Sequence, residues 1–567
     1  MTRSRGILAL VLALCAVLVT GCAGFPESGS IRYGLAIGED TGGSQNVTFI
    51  PNRPQPGATP EQIVEGFIDA GSGPGVNGTW AVAKDFLAPD LQDVWNPLAT
   101  VRVDERAERE YTESDADESA VVFSYEAVAD VDDTGSYHRA ELPSNSQEFR
   151  LAKQADGEWR ITAAPDGIWL DEGQFSQVFH RYSLMYFDPT WQYLVPDLRW
   201  FPYVNAATTI AVALVNEPSS EWLAESVQTA FPDGATLVPS VQVDENDVAT
   251  VDFQDDSLLS ASANALDRME TQLRESLRAA GVSDVVMRVN STPVEASPVA
   301  VRSTRVPAAP LVLTEDGFGF LSGDEIEQIP GLSPAVVAAA PTAVQVGPER
   351  DNAAVTLSDG EVARLTSASA DAEVLDTRAG LVDPTIDGFG YIWSVPKDQP
   401  TALHAYAPQS SDAIDVADAW TDATAVSAMA LSRDGTRIAA TVTSGGRTML
   451  WVAGVVRDGD NVPVKLGQPV QLAIVGGPAA GVTWIDDASI GVLAAGDDAS
   501  IVVEQPVGGP TTTSTATDGM TSLSGGTGAS SLRLRAEDGT LYVKRGTAWQ
   551  PTATGVLVLA TQQGAPQ

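Results

Sequence analysis

Cysteine is nearly absent from this 567-residue chain, which holds only Cys15 and Cys22. Histidine is almost as scarce. His138, His180 and His404 lie too far apart for a local metal pair such as His-x-x-x-His. The chain has no Gly-x-Ser-x-Gly elbow and no Gly-x-x-x-x-Gly-Lys-Ser/Thr phosphate loop. Gly525-Gly526-Thr527-Gly528 is followed by no helical pattern and reads as a turn. Basic residues are outnumbered, 33 against 75 acids, and a net charge of −42 repels nucleic acid and anionic headgroups. Beyond residue 20 no run is apolar for long enough to span a bilayer. These absences exclude a disulfide scaffold and a nucleic-acid binder. They leave no metal or cofactor site and no catalytic residue to name. The reading is of a non-enzyme.

What is present starts at the first residues. Arg3 and Arg5 precede an uncharged run from Gly6 to Thr20, rich in Leu, Val and Ala. A basic start with a short apolar core reads as a secretory signal. Its end, Leu18-Val19-Thr20-Gly21-Cys22, resembles the bacterial lipobox, whose cysteine is acylated and becomes the new N-terminus. Residues 1–21 are therefore expected to be removed. Cys22 is expected to carry S-diacylglycerol and N-acyl groups, enough lipid to hold a protein on the extracytoplasmic face of the cell membrane. Cys15 leaves with the signal, so no internal disulfide can form.

Residues 22–46, rich in Gly and Ser, read as a membrane-proximal tether. Four prolines between Pro51 and Pro60 lead to Thr59-Pro60-Glu61-Gln62, a helix start, with Ile63, Val64, Phe67 and Ile68 on one face. A second amphipathic piece carries Trp80, Ala83, Phe86 and Leu87. Strands follow at Ala120–Val131, Tyr137–Leu142, Glu148–Ala152 and Glu158–Ala163. Helices followed by an antiparallel meander resemble a cone-shaped NTF2-like α+β domain, here spanning 47–185. Asp130-Val131-Asp132-Asp133-Thr134-Gly135, with Glu141 beyond, matches part of an EF-hand loop. Its strand-like flanks make it a hairpin turn, and no calcium is assigned.

An aromatic, proline-punctuated stretch at 186–206 reads as a connector packed between domains. Residues 207–297 then read as strand (Ile210–Val215), helix (Glu221–Ala230), two strands (Thr236–Val243, Val248–Phe253), a long helix (Ser257–Ala280) and a final strand (Val285–Val289). Leu266, Met269, Leu273 and Leu277 form the long helix's core stripe, and Asp255-Asp256 its cap. This order resembles a GerMN α/β domain, a module of exported lipoproteins. From 305 to 560 short strands alternate with turns such as Ser432-Arg433-Asp434-Gly435. Leu431–Ala439 is similar to the repeat of TolB-type and WD40-like propellers. A β-propeller of about six blades is expected, with a β-sandwich as the competing reading. Pro510–Ser531 reads as a low-complexity loop and Asp486-Asp487 as a turn between blade strands.

Lipobox, NTF2-like region, GerMN-like domain and propeller, in that order, resemble the actinobacterial LpqB lipoprotein family. The most telling phrases are Asp188-Pro189-Thr190 through Arg199-Trp200-Phe201-Pro202, and Asp383-Pro384 through Tyr391-Ile392-Trp393. The resemblance implies an accessory regulator of an MtrA–MtrB-type two-component system, tied to cell-wall homeostasis and division. Its partner would be the extracytoplasmic domain of an MtrB-like sensor histidine kinase. Two alternatives are an envelope protein binding a wall or small-molecule ligand, best served by a Trp-lined apolar pocket in the NTF2-like region, and a wall hydrolase with two facing carboxylates. Replacing Cys22 with Ser is expected to abolish incorporation of labelled palmitate and release the protein from membrane pellets into the soluble fraction.

Overall fold

The computed structural model describes residues 50–566 apart from 115–116, 141, 255–257, 259–260 and 497. The signal at 1–21, Cys22, the tether, Glu141 and the Asp255-Asp256 cap lie outside the described residues. Among those described, no helix is long and apolar enough to cross a membrane.

Thr59 and Gln62 begin helix α1 (Pro60–Ala70) with a reciprocal capping box, each side chain bonding the other's backbone. Ile63, Val64, Phe67 and Ile68 are buried as the periodicity requires. Gly66 allows the close approach of Phe86, whose ring would lie 2.4 Å from a Cβ there. Short helices α2 (Ala81–Lys84) and α3 (Pro89–Gln92) follow. Then comes a sheet in the order β6–β5–β3–β1–β7, made from β1 (Thr100–Asp104), β3 (Asp117–Asp132), β5 (Ser144–Lys153), β6 (Trp159–Ala163) and β7 (Ile168–Asp171). The long β3 changes partners along its length. Its first half pairs with β2 (Glu110–Ser114) and β5, its second with β1 and β4 (Tyr137–Arg139). Helix α1 packs on β2, β3, β6 and β7, and its Phe67 lies 5.3 Å from the Trp95 ring and 5.9 Å from Phe149. Helices followed by a largely antiparallel sheet are the α+β order expected. The calcium-loop look-alike is a turn, with Asp132 Oδ1 accepting the amides of Thr134 and Ser136 at 2.9 Å.

The stretch expected as a connector is instead half of a hairpin. After helix α4 (Glu172–Val178), β8 (Phe179–Phe187) pairs in full register with β9 (Leu194–Pro202). Pro196 and Pro202 are tolerated because a two-stranded ribbon leaves each strand an edge. Asp188 makes the turn: its buried carboxylate accepts the amides of Thr190, Gln192 and Tyr193 at 2.6–2.9 Å. Three further expectations fail in the middle domain. Ile210–Val215 lies in helix α5 (Ala206–Asn216), because six apolar residues suit either element and packing against the long helix Ala263–Leu277 selects the helix. Glu221–Ala230 is irregular, because Trp222 packs into the propeller core and Ser226 sits against Gly454. Thr236–Val243 shrinks to β10 (Gln242–Val243), interrupted by Pro239. The rest follows the pattern. β11 (Val248–Phe253) and β12 (Asp284–Val289) pair in parallel around the crossover helix α6 (Ala263–Leu277), with the short β13 (Thr292–Pro293) on β12. Ser262 caps α6, and Gly281, at φ +85°, ends its last 3₁₀ turn. Met269, Leu273 and Leu277 are core.

The C-terminal region is a six-bladed propeller. Its innermost strands are Val558–Gln562, Ala343–Val346, Thr385–Ile386, Ala425–Leu431, Ala479–Trp484 and Met520–Ser524, for blades 1 to 6. Blade 1 joins the two ends of the region, with Leu311 opposite Ala560 and Leu313 opposite Val558. The sandwich alternative is thereby excluded. Pro510–Ser531 is not a loop: its Thr-rich segment Thr512–Ala516 is the outer strand of blade 5, and Met520–Ser524 opens blade 6. β-branched Thr suits a half-exposed edge strand.

The described residues belong to one compact unit, and the hairpin is where its parts meet. Arg199, 2 % exposed, donates to Asp197 Oδ2 at 2.9 Å and to the carbonyl and hydroxyl of Thr134 at 3.0 and 2.7 Å. Asp197 in turn accepts from the amide and hydroxyl of Ser220. Trp200 packs tilted against Phe175 at 4.8 Å, and its indole donates to the Gly508 carbonyl in blade 5 at 2.8 Å. Met185 on β8 donates to Ser276 on α6. Gly135 (φ +83°) is obligatory, since a Cβ would fall 2.6 Å from the Phe201 ring. Arg199→Met leaves Asp197 buried without its cation, a loss of about 3–5 kcal/mol. The expected result is a lower, broader calorimetric transition in which the N-terminal domain melts apart from the rest. An unchanged single transition contradicts this role.

Candidate interaction face

In each blade, the turns joining first to second and third to fourth strands lie on one face. The remaining turns, and the links between blades, lie on the other. The first face is built from Asp-centred turns. In blade 4, Asp434 Oδ1 accepts from the Ser432 hydroxyl (2.7 Å) and the Thr436 amide (2.9 Å), while Oδ2 meets the Arg437 guanidinium at 2.5 Å. Burial alone would raise the pKa of Asp434. Arg437 and the hydroxyls of Thr436 and Ser432 outweigh it and hold the group below the usual carboxylate value. Arg437 is itself fully buried and lies 4.7 Å from the Trp484 ring of blade 5. Gly435 leaves room for the Phe389 ring. Blade 3 repeats the device. Asp387 accepts the amides of Phe389 and Tyr391 at 2.9 Å and the Trp393 indole at 3.2 Å, and pairs with Arg457 of blade 4 at 2.5 Å. These two buried Asp-Gly turns are therefore structural staples: Asp387 ties blade 3 to blade 4 through Arg457, and Asp434 holds Arg437 against Trp484 of blade 5.

This same face receives the hairpin and the linker that follows the middle domain. Arg302 donates its amide to the Gln192 carbonyl (2.7 Å) and its guanidinium to Glu349 of blade 2 (3.1 Å). Trp200 reaches Gly508, and Lys465 pairs with Glu225 at 2.8 Å. Gln563 links the ends of two innermost strands, from its amide to Val346 and from its carboxamide to Leu431. The opposite face is strongly acidic. Its turns and links expose Glu315, Asp316, Asp359, Asp398, Asp418, Asp422, Asp518, Glu537 and Asp538, against the exposed bases Lys397 and Arg447. Asp538 accepts the Thr540 amide, which lowers its pKa and keeps it ionised. This face is a broad anionic surface on a rigid ring.

The residues singled out in the sequence do not assemble into a reactive centre. His138 pairs with Asp132 at 3.0 Å, and that carboxylate raises its pKa. His180 stacks near Tyr203, and His404 pairs with Asp415 in blade 3. Burial, then Arg378, lowers the pKa of His404. Asp486 turns the chain by accepting the Ala488 amide. Among the described residues no group of His, Cys, Asp and Glu is arranged to hold a metal. Trp80, Trp95 and Trp169 of the N-terminal domain are buried core residues.

Residues 53–176 match the model of the lipoprotein LpqB N-terminal domain, and residues 313–558 that of the lipoprotein LpqB β-propeller domain. Between them, 183–295 match the Germane model, described as sporulation and spore germination. The chain belongs to the LpqB lipoprotein family. It is 27 % identical to lipoprotein LpqB of Cutibacterium acnes over 263 residues, covering 46 % of this chain and 42 % of that protein. The match to the Bifidobacterium longum protein is 27 % over 474 residues, covering 79 % and 78 %. That to the Thermobifida fusca protein is 31 % over 252 residues, covering 41 % and 39 %. The first of these matches thus spans less than half of the relative's length. Family membership makes the chain a lipoprotein of the LpqB type, a family of multi-domain, mostly β proteins.

Asp434→Ala strands Arg437 in the core without its carboxylate. An early melting of the propeller, displaced by the equivalent of about 3–5 kcal/mol, is expected in denaturant titrations followed by tryptophan fluorescence. Asp398→Ala, on the exposed face, is expected to leave the curve within about 0.5 kcal/mol of the parent.

Proposed function

We propose that the chain is a non-enzymatic accessory protein, lipid-anchored at Cys22 on the extracytoplasmic side. It modulates an MtrB-like sensor histidine kinase of an MtrA–MtrB-type system, with consequences for cell-wall homeostasis and division. The observation that supports this reading is the anionic propeller face. One side of the ring takes the intramolecular contacts of the hairpin and linker, while the other presents charged loops on a rigid scaffold, where binding residues are commonly carried. Charge of one sign at such a surface speeds encounter with a basic partner and excludes acidic ones, more than it adds affinity. Membership of the LpqB family is consistent with a binding role and supplies no catalytic residue.

The test is binding of the lipid-free chain to the isolated extracytoplasmic domain of the host's MtrB-like sensor, followed by biolayer interferometry. Saturable binding is expected, with an association rate that falls as salt rises from 50 to about 300 mM. Reversing Asp398, Asp418 and Glu537 to Lys together is expected to slow association at least about tenfold while leaving dissociation nearly unchanged. Failure of folded protein to bind this sensor removes the direct-contact role.

A further inference from the structure

A pocket of about 250 Å³ opens where the N-terminal domain meets the end of the hairpin. Asp69 and Ser72 come from the end of α1, Arg106 from the turn after β1, Gln177 from α4, and Tyr203 from the residue after β9. Tyr203 is fixed there by its amide, which donates to the Val178 carbonyl at 3.1 Å, and by the His180 ring 5.8 Å away. Buried Pro74 and Val178 supply an apolar floor.

The charges are arranged against an ionic ligand. Arg106 is shared between Asp171 at 3.1 Å and Asp69 at 3.5 Å, and Asp69 also faces Arg109 at 3.6 Å. An anion would have to compete with two carboxylates for Arg106, and a cation would meet two guanidiniums around Asp69. What remains in the lining is hydrogen bonding without net charge: Gln177 carries a carboxamide and Tyr203 a phenol. These stand beside the apolar Val178, Pro74 and tyrosine ring. The volume lies below the roughly 300–1,000 Å³ of sites for drug-sized ligands. A carboxamide and a phenol sharing one lining with an aromatic ring and aliphatic side chains complement a molecule that has hydroxyls at its edge and C–H groups on its faces. We propose that this pocket binds a small neutral sugar of monosaccharide size. The site is independent of the propeller face. Because Tyr203 comes from the hairpin, an occupied pocket would bridge two parts of the molecule.

The experiment is calorimetric titration of the full chain, purified with its anchor in a detergent that carries no sugar headgroup. The probes are glucose, galactose and N-acetylglucosamine, with glucuronate and glucosamine as charged counterparts. Ligand is taken to about 10 mM, the regime expected for so small a contact area. At least one neutral sugar should bind saturably and more tightly than either charged counterpart. Gln177→Ala and Tyr203→Phe each remove one hydrogen bond and should weaken that binding about threefold to tenfold. Gln177 is exposed, so its variant should melt with the parent chain. Absence of saturable binding by all three neutral sugars overturns the proposal. So does tighter binding of a charged counterpart, or binding that both variants leave unchanged.

Discussion

The buried guanidinium of Arg199 is the constraint that the rest of the molecule accommodates. It sits on a hairpin strand of the middle domain, bonds a turn of the N-terminal domain through Thr134, and is neutralised by Asp197, which also holds Ser220. Its neighbour Trp200 reaches the propeller. Two adjacent side chains thus bring three folding units to one seam. A buried ion pair contributes little net stability over a well-packed apolar substitute, yet it is intolerant of misplacement, because either partner alone is costly in a dry interior. Such a pair fixes how the parts sit against one another more firmly than it raises the stability of the whole.

The large excess of acids has two distinct uses. Many aspartates never act as surface charge in any simple sense. Asp132, Asp188, Asp244, Asp387, Asp434 and Asp458 each turn back to accept the amides of residues two to five positions on. In a chain whose only cysteines are Cys15 and Cys22, these turns do part of the work that cross-links do elsewhere, by pinning short loops locally. The remainder lies on the outer loops and supplies the molecule's field. Composition alone cannot separate the two populations; only the amides in reach of each carboxylate do.

How much was readable beforehand followed from how local the determining interactions are. Thr59-Pro60-Glu61-Gln62 and Asp434-Gly435 carry their structure in a few adjacent residues, so the first helix and the propeller's rhythm were legible. The same holds for the α6 stripe of Met269, Leu273 and Leu277. The misreadings came where distant contacts decide. Ile210–Val215 is equally apolar as strand or helix over six residues, and its packing on α6 selects the helix. Trp222 and Ser226 gave up a plausible helix to fit against Gly454. The hairpin at 179–202 was hidden by its own prolines, which mark a linker by composition but are harmless in a ribbon with two free edges. The polar pocket was not legible at all. Asp69, Arg106, Gln177 and Tyr203 are far apart in sequence, and no spacing rule joins them. The anionic face likewise emerges only when alternate turns are sorted onto opposite sides of the ring.

The pairing of Leu311–Thr314 with Val558–Gln562 bears on how the molecule comes into being. A ring sealed by its first and last strands cannot be completed until residues 558–562 have emerged. Until residue 562 is available, blade 1 presents an open edge with unpaired amides and carbonyls, and the neighbouring blade lacks the parallel partner of Val346. The earlier domains can fold as they appear, but the propeller must wait for residues 558–562 and then close over a long sequence separation, which is slow. For that interval the growing protein is exposed to aggregation and proteolysis at one defined place. Loss of a handful of residues beyond about 557 would therefore act on the whole ring, though it removes only its last strand.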